Sequence, residues 1–170
     1  MSGERTMIAF SAGSWRFHYR VGAVVIRDRH VLLMKAGSED FWFVPGGRIE
    51  MGETAERALE REVREELGVA GQVGRLLWTN ENFFRMKETL MHEVGLYFEV
   101  SLAKDAHRDL TARITGTEGD GASFECAWHP LDSLRRIQVV PRFLARGLAR
   151  LPDVPEHVVE VDPSVAPYPS

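Results

Sequence analysis

The stretch GGRIEMGETAERALEREVREELGV, residues 46–69, determines how the rest of the sequence is interpreted. Behind a glycine pair, its apolar residues recur at helical spacing and form one stripe: Ala55, Leu59, Val63 and Leu67. Thr54 is suited to the N-cap of such a helix and Gly68 to its end. We therefore predict a helix over residues 54–67 whose apolar stripe packs against a sheet.

Three glutamates crowd the last turns of this predicted helix, where the helix macrodipole disfavours negative charge. On a helical wheel, Glu62, Glu65 and Glu66 border the apolar stripe instead of lying opposite it. Neighbouring carboxylates at a buried margin are costly as bare anions. A bound Mg²⁺ or Mn²⁺ would resolve the conflict, because hard cations prefer oxygen ligands. The alternative is a solvated helix whose glutamates pair with the arginines between them.

Composition narrows the class of protein. The chain has 170 residues and a formal net charge of −4, which fits one domain without the basic field that nucleic-acid binding requires. Cys126 is the single cysteine and the histidines are scattered, so we expect neither an internal disulfide nor a zinc site. The longest apolar run, residues 21–26, is too short to span a membrane. We expect a cytoplasmic protein that binds no membrane and no nucleic acid.

Strand-like runs flank the helix on both sides, at residues 20–26, 30–35, 41–44, 73–79 and 91–100. A polar loop follows at 104–123, then a short strand that enters a short helix near 131. A final amphipathic helix is predicted from Pro141, since proline is tolerated in the first helical turn. Strands interleaved with a few helices indicate a layered α/β or α+β domain.

The segment from Gly47 to Val69 satisfies the spacing G-x5-E-x7-R-E-U-x-E-E-x-G-U throughout, where U is a bulky aliphatic residue. This pattern resembles the signature of the Nudix hydrolase family, and FWFVPGGRIEMGET (41–54) and WHPLDSL (128–134) are similar to other parts of that family. The resemblance implies the α/β class, as an α/β/α sandwich with a mixed central β-sheet. We expect this domain over residues 18–150, preceded by an N-terminal segment (1–17) and followed by a partly disordered C-terminal extension (151–170).

The resemblance also implies a reaction. Family members use Mg²⁺ or Mn²⁺ to hydrolyse a diphosphate linkage in a nucleoside diphosphate derivative, such as a nucleotide sugar, ADP-ribose, a dinucleotide or a (d)NTP. The partner would be this small molecule, and a homodimer is compatible with the family. The alternatives are a non-catalytic nucleotide-sensing or RNA-binding module with the same fold, and an isomerase acting on isoprenoid diphosphates. The first usually has a degraded signature, and the second needs cysteine and histidine residues that we do not find.

Roles within the signature follow from the resemblance. Glu62, Glu65 and Glu66 correspond to the metal-binding carboxylates, and the position of Glu62 acts as the base in some members. Gly46 corresponds to a residue that offers its backbone carbonyl to the metal. These assignments agree with the oxygen chemistry inferred above for the crowded glutamates.

Further catalytic candidates lie at the edge of the signature and outside it. Glu53 and Arg61 correspond to a pair that braces the loop against the helix, and their opposite charges allow a salt bridge. A carboxylate outside the signature often completes the site in this family. Glu118, in the polar loop, is the preferred candidate, with Glu125 and Glu93 as alternatives.

Substrate contacts are expected beside the phosphates and at the rim of the site: Gly47, Arg48, Phe83, Phe84 and Arg85. Residues 79–90 are predicted to form a loop between two strands, so that at least one of the two phenylalanines is free to stack on a base. Arg85 would then meet a phosphate or ribose. The alternative is that both rings belong to the core or to a dimer contact, with recognition in the strand 15–19 or the loop 104–123.

Overall fold

The computed structural model describes residues 6–37, 39–117 and 121–166. Its elements in chain order are β1 (Ala9–Ala12), β2 (Trp15–Val24), β3 (Ile26–Arg27), β4 (His30–Ala36), α1 (Ala55–Leu67), β5 (Gly71–Met86), β6 (Thr89–Leu102), β7 (Arg113–Thr117), β8 (Ser123–Pro130), a 3₁₀ helix (Leu131–Arg136), α2 (Leu144–Gly147) and β9 (Glu156–Val161). None of the helices in these ranges is long and apolar enough to cross a membrane.

The strands form two sheets. The larger has the order β1-β2-β6-β5-β9, in which β2 pairs with β6 and β5 with β9 in parallel, while the other pairs are antiparallel. The smaller sheet has the order β3-β4-β8-β7. Helix α1 packs against one face of the large sheet, and the 3₁₀ helix and α2 pack against the other. The predicted α/β class with a mixed central sheet is therefore confirmed.

Helix α1 forms where its sequence predicts. The Thr54 hydroxyl accepts a hydrogen bond from the backbone N–H of Arg57 at 3.3 Å, and Gly68 ends the helix with φ 68°. The buried stripe consists of Ala58, Leu59, Val63 and Leu67, which lie in one core cluster with side chains of the large sheet. Because this stripe fixes the rotation of the helix, it also fixes the direction of the glutamates beside it.

The predicted loop at 79–90 is wrong. Strand β5 continues to Met86, turns at Lys87 with φ 55°, and returns as β6 from Thr89. Cross-strand pairing is unbroken up to this turn, with Phe83 opposite His92 and Phe84 opposite Met91. Because side chains alternate along a strand, the two phenylalanines point to opposite faces of the sheet.

Two other predicted elements differ in extent. Residues 41–44 form isolated bridges, from Phe43 to Met34 and from Trp42 to Val139, instead of a full strand. The last helix is reduced to the four residues of α2, because the chain turns away after it and enters β9. Strand β9 lies in the region that we expected to be a C-terminal extension, and it pairs with β5 over residues 78–83.

Candidate active site

Two adjoining cavities open on the large sheet. The first, of about 520 Å³, lies between α1 and the Gly46–Gly47 turn, and we call it the carboxylate cavity after the glutamates in its lining: Glu62, Glu65 and Glu66. The second, of about 600 Å³, is called the aromatic cavity after its four rings: Phe41, Phe43, Phe84 and Tyr97. Arg20 and Phe43 line both cavities, so the two cavities are adjacent.

Glu62 lies against the backbone of Gly47. A Cβ atom at position 47 would overlap the Glu62 carboxylate, so only glycine leaves room for this approach. Burial raises the pKa of Glu62, and a hydrogen bond of 2.7 Å from Arg61 Nη1 to Glu62 Oε1 opposes the shift. A carboxylate in this setting gains from any additional positive charge, including that of a metal ion.

Glu66 is held by the same turn. Its Oε2 accepts a hydrogen bond of 2.9 Å from the backbone N–H of Gly46. Gly46 has φ 141°, and a Cβ atom there would overlap the carbonyl oxygen of Val21, so this position also requires glycine. The glycine pair therefore brings the backbone next to two of the three carboxylates.

Arg61 connects the signature loop to the helix. Its Nε and Nη2 donate to the two oxygens of Glu53 at 3.0 and 2.9 Å, and Nη2 also donates to the Arg48 carbonyl at 3.2 Å. Glu53 in turn accepts a bond of 3.1 Å from the Glu50 backbone N–H. The bonds from Arg61 to Glu53 are the main cause of the raised pKa of Arg61. This bidentate pair fixes the loop geometry that places Gly46 and Gly47.

The donor set fits a divalent cation. Within the described ranges, no three His, Cys, Asp or Glu side chains already converge as a metal site. Instead, Arg61 Nη1 lies 2.7 Å from Glu62 and 3.5 Å from Glu65, where it supplies the positive charge. A cation such as Mg²⁺ or Mn²⁺ would find three carboxylates and glycine backbone here, which are the hard oxygen ligands it prefers. Arg61 would keep its bidentate partner Glu53.

Arg20 was not among the candidates from sequence. Its Nη1 lies 3.5 Å from Oε2 of the buried Glu93, and His18 Nδ1 lies 3.9 Å from the same oxygen. Burial and the nearby Arg48, Arg16 and Arg20 lower the pKa of His18 to about 4, so His18 is neutral at pH 7. The alternation of polar side chains at residues 16, 18 and 20 was the available signal, because it places all three on one face of β2.

The candidate substrate contacts on β5 do not all lie on the same face of the sheet. Phe84 and Arg85 line the aromatic cavity. Phe83 is buried on the other face, where its ring stacks on His92 at 4.3 Å and meets Trp15 at 6.2 Å. Phe83 is therefore removed from the candidate substrate contacts.

The other candidates are the two remaining substrate contacts and the carboxylates outside the signature. Gly47 and Arg48 line the carboxylate cavity, as does Thr117. Glu118, the preferred extra carboxylate, lies outside the described residues. Of its alternatives, Glu125 is bonded to Arg113 at 2.7 Å and Glu93 is buried beside Arg20.

Comparisons with known proteins show what the chain is similar to. A family model, the NUDIX domain, matches residues 16–150. An RNA pyrophosphohydrolase of Halorhodospira halophila is 27% identical over 129 residues, which cover 69% of this chain and 71% of that protein. Diphosphoinositol polyphosphate phosphohydrolase 2 of Rattus norvegicus is 42% identical over 65 residues, but these cover 38% of this chain and only 36% of the relative.

A solved structure, the MutT protein of Bacillus halodurans, has a TM-score of 0.62 at 15% identity. The match covers 88% of this chain and 93% of that one. At this identity the likeness concerns the fold alone, and it agrees with the layered α/β arrangement described above.

Proposed function

The chain belongs to the NUDIX domain family and is a Nudix hydrolase, and we propose that it is a divalent-metal-dependent pyrophosphohydrolase that cleaves a diphosphate linkage in a nucleoside diphosphate derivative. The observation that carries this proposal is the adjacency of the two cavities. The carboxylate cavity suits metal and diphosphate, and the aromatic cavity, which shares Arg20 and Phe43 with it, suits a base. The similarity to the RNA pyrophosphohydrolase of Halorhodospira halophila supports the same type of reaction.

Each group has a role in this proposal. Glu62, Glu65 and Glu66 would hold Mg²⁺ or Mn²⁺, which neutralises phosphate oxygens and activates water when bound. If Glu62 acts as the base, as in some family members, its carboxylate would accept a proton from the attacking water. Gly46 and Gly47 let the backbone approach the phosphates, with the Gly46 carbonyl proposed as a further ligand.

Two arginines would contact the substrate, and a glutamate would act through its partner. Arg20, which lines both cavities, would contact the phosphate nearest the nucleoside. Arg48 lines the carboxylate cavity and would contact the other phosphate. Glu53 would act only by holding Arg61 in place. We also propose a cytoplasmic location and a small-molecule substrate, with a homodimer compatible with the family.

A substrate panel tests this function. Nucleotide sugars, ADP-ribose, dinucleotides and (d)NTPs would be incubated with the protein and Mg²⁺, and products separated by ion-exchange chromatography. We expect at least one nucleoside-linked substrate to yield a nucleoside monophosphate by cleavage between two phosphorus atoms. Binding of these compounds without cleavage would instead support the non-catalytic sensing module.

We expect Phe84→Leu to raise the KM for a nucleotide substrate. Leucine keeps the cavity apolar but cannot stack on a base, and such stacking is worth roughly 1–3 kcal/mol, or about 5- to 150-fold. Because stacking acts alike on ground and transition states, kcat should change little. Phe83→Leu is the matched control, since its ring packs on the opposite face. Steady-state kinetics in which both variants show the same KM as the unmodified protein would place base recognition elsewhere.

A further inference from the structure

A row of polar side chains crosses the large sheet beneath the two cavities. Strand register places His18 of β2 beside Glu93 of β6, Glu93 beside Asn82 of β5, and Asn82 beside Glu160 of β9. Partners in register on adjacent strands point to the same face. All four side chains therefore lie on the face that carries the proposed substrate site. Their role, as inferred below, rests on the proposed function.

Most of this row is occupied by internal partners. Glu160 accepts hydrogen bonds from Arg142 Nε at 2.9 Å and from the Phe143 backbone N–H at 3.0 Å. The Oε2 of Glu93 lies 3.5 Å from Arg20 Nη1 and 3.9 Å from His18 Nδ1. The two carboxylates of the row therefore have partners within the protein.

Asn82 differs from its neighbours in the row. Its side chain is only 8% exposed, and it lines the aromatic cavity. Among the residues that the structure describes, no group forms a hydrogen bond with its carboxamide. Asn80, two residues earlier on the same face, donates to the Val158 carbonyl at 3.2 Å, and its buried Oδ1 has no hydrogen-bond partner among the described residues. The polar atoms of Asn82, in contrast, are not fully buried, so its donor and its acceptor both remain accessible to a ligand in the aromatic cavity.

The surroundings of Asn82 indicate the chemistry of that ligand. Phe84, two residues further along the strand, lies on the same face, and Tyr97 and Phe43 add two more rings to the cavity. Four acidic residues line this cavity: Glu39, Glu93, Glu160 and Asp162. Three basic residues oppose them: Arg20, Arg85 and Arg142. This charge balance disfavours a second polyanionic group and favours a flat, uncharged ring.

We propose that Asn82 is the specificity-determining residue of the aromatic cavity. Its carboxamide hydrogen-bonds a nucleobase edge on which a donor and an acceptor lie side by side. The Asn82 NH₂ group would donate to the ring acceptor, and its carbonyl oxygen would accept from the ring donor. Carboxamides recognise bases in this bidentate manner in nucleic-acid complexes. Phe84 would cover the ring, while Arg20 would meet the adjoining phosphate.

Equilibrium binding of nucleoside 5′-monophosphates tests this inference without relying on catalysis. The probes are AMP, GMP, CMP and UMP. Two further probes serve as controls: purine riboside 5′-monophosphate, whose base has no exocyclic group, and inositol hexakisphosphate, a polyanion without a base. The variants are Asn82→Ala and the nearly isosteric Asn82→Asp, which replaces the donor by an acceptor. Asn80→Ala is the matched control, because Asn80 shares the strand and the face but lines neither cavity.

We expect the tightest of the four monophosphates to lose about 5- to 150-fold in affinity with either Asn82 variant, the range of one bidentate base contact. Purine riboside monophosphate should lose less affinity, about 2- to 12-fold, because its base can form only one of the two bonds. Equal losses for both probes, unchanged affinity, no measurable binding of any monophosphate, or tighter binding of inositol hexakisphosphate would each overturn the inference. The proposed function is tested independently by the substrate panel, and it would fail if no nucleoside-linked diphosphate were cleaved.

Discussion

Glu66→Gln is expected to lower kcat by several orders of magnitude while the protein keeps its fold. Glutamine is a good helix former of nearly the same shape, and its side-chain carbonyl can still accept the 2.9 Å hydrogen bond from the Gly46 N–H. What is lost is the negative charge, and a neutral amide is a poor ligand for Mg²⁺ compared with a carboxylate. The loss should therefore appear in catalysis and not in folding.

Kinetics and thermal unfolding of two variants check this expectation. Glu60→Gln is the matched control, because it makes the same change on the same helix at a residue that lines neither cavity. We expect its kcat to stay close to that of the unmodified protein. A Glu66→Gln protein with a kcat within tenfold of the original would remove Glu66 from the metal ligands.

Gly47→Ala is the second change expected to have a large effect. The added Cβ would overlap the Glu62 carboxylate, so this side chain must leave its position beside the turn. The backbone at Gly47 does not have a positive φ, so alanine introduces no backbone strain there. A misplacement of about 1 Å in an active site costs on the order of 100-fold in rate, and we expect at least this loss in kcat.

Gly52→Ala provides the contrast in the same loop. Gly52 has φ 81°, and a Cβ there would meet nothing within 4 Å. Alanine at this position strains the backbone by about 1 kcal/mol and should lower the melting temperature without changing kcat much. If Gly47→Ala retained full activity, the position of Glu62 in the structure would not be the catalytic one.

The sequence was most informative where function depends on neighbours in one helix. The apolar stripe of α1 fixed the side on which Glu62 and Glu66 emerge, and Thr54 and Gly68 marked the ends of the helix. All of these positions are separated by a few helical turns at most. Local periodicity is therefore sufficient to place them together.

Pairing between strands that are distant in the sequence could not be predicted from local patterns. The local pattern predicts a loop between two strands for the segment with Phe83 and Phe84, and the opposite orientations of their side chains arise only from pairing with β6. Arg20 and Asn82 share the aromatic cavity because β2, β6 and β5 are adjacent in the sheet, an order that no local pattern encodes. Strand β9 did have a usable signal, since HVVEV (157–161) is rich in β-branched valine.

In the proposed reaction, a divalent cation at the carboxylate cavity drives hydrolysis. Its most direct test is to measure product formation from the best nucleoside-linked diphosphate with Mg²⁺, after addition of excess EDTA, and after restoring Mg²⁺ or Mn²⁺. We expect turnover to disappear with EDTA and to return with either metal, because the cavity offers carboxylates to bind a cation. Sustained turnover in metal-free buffer would contradict this account.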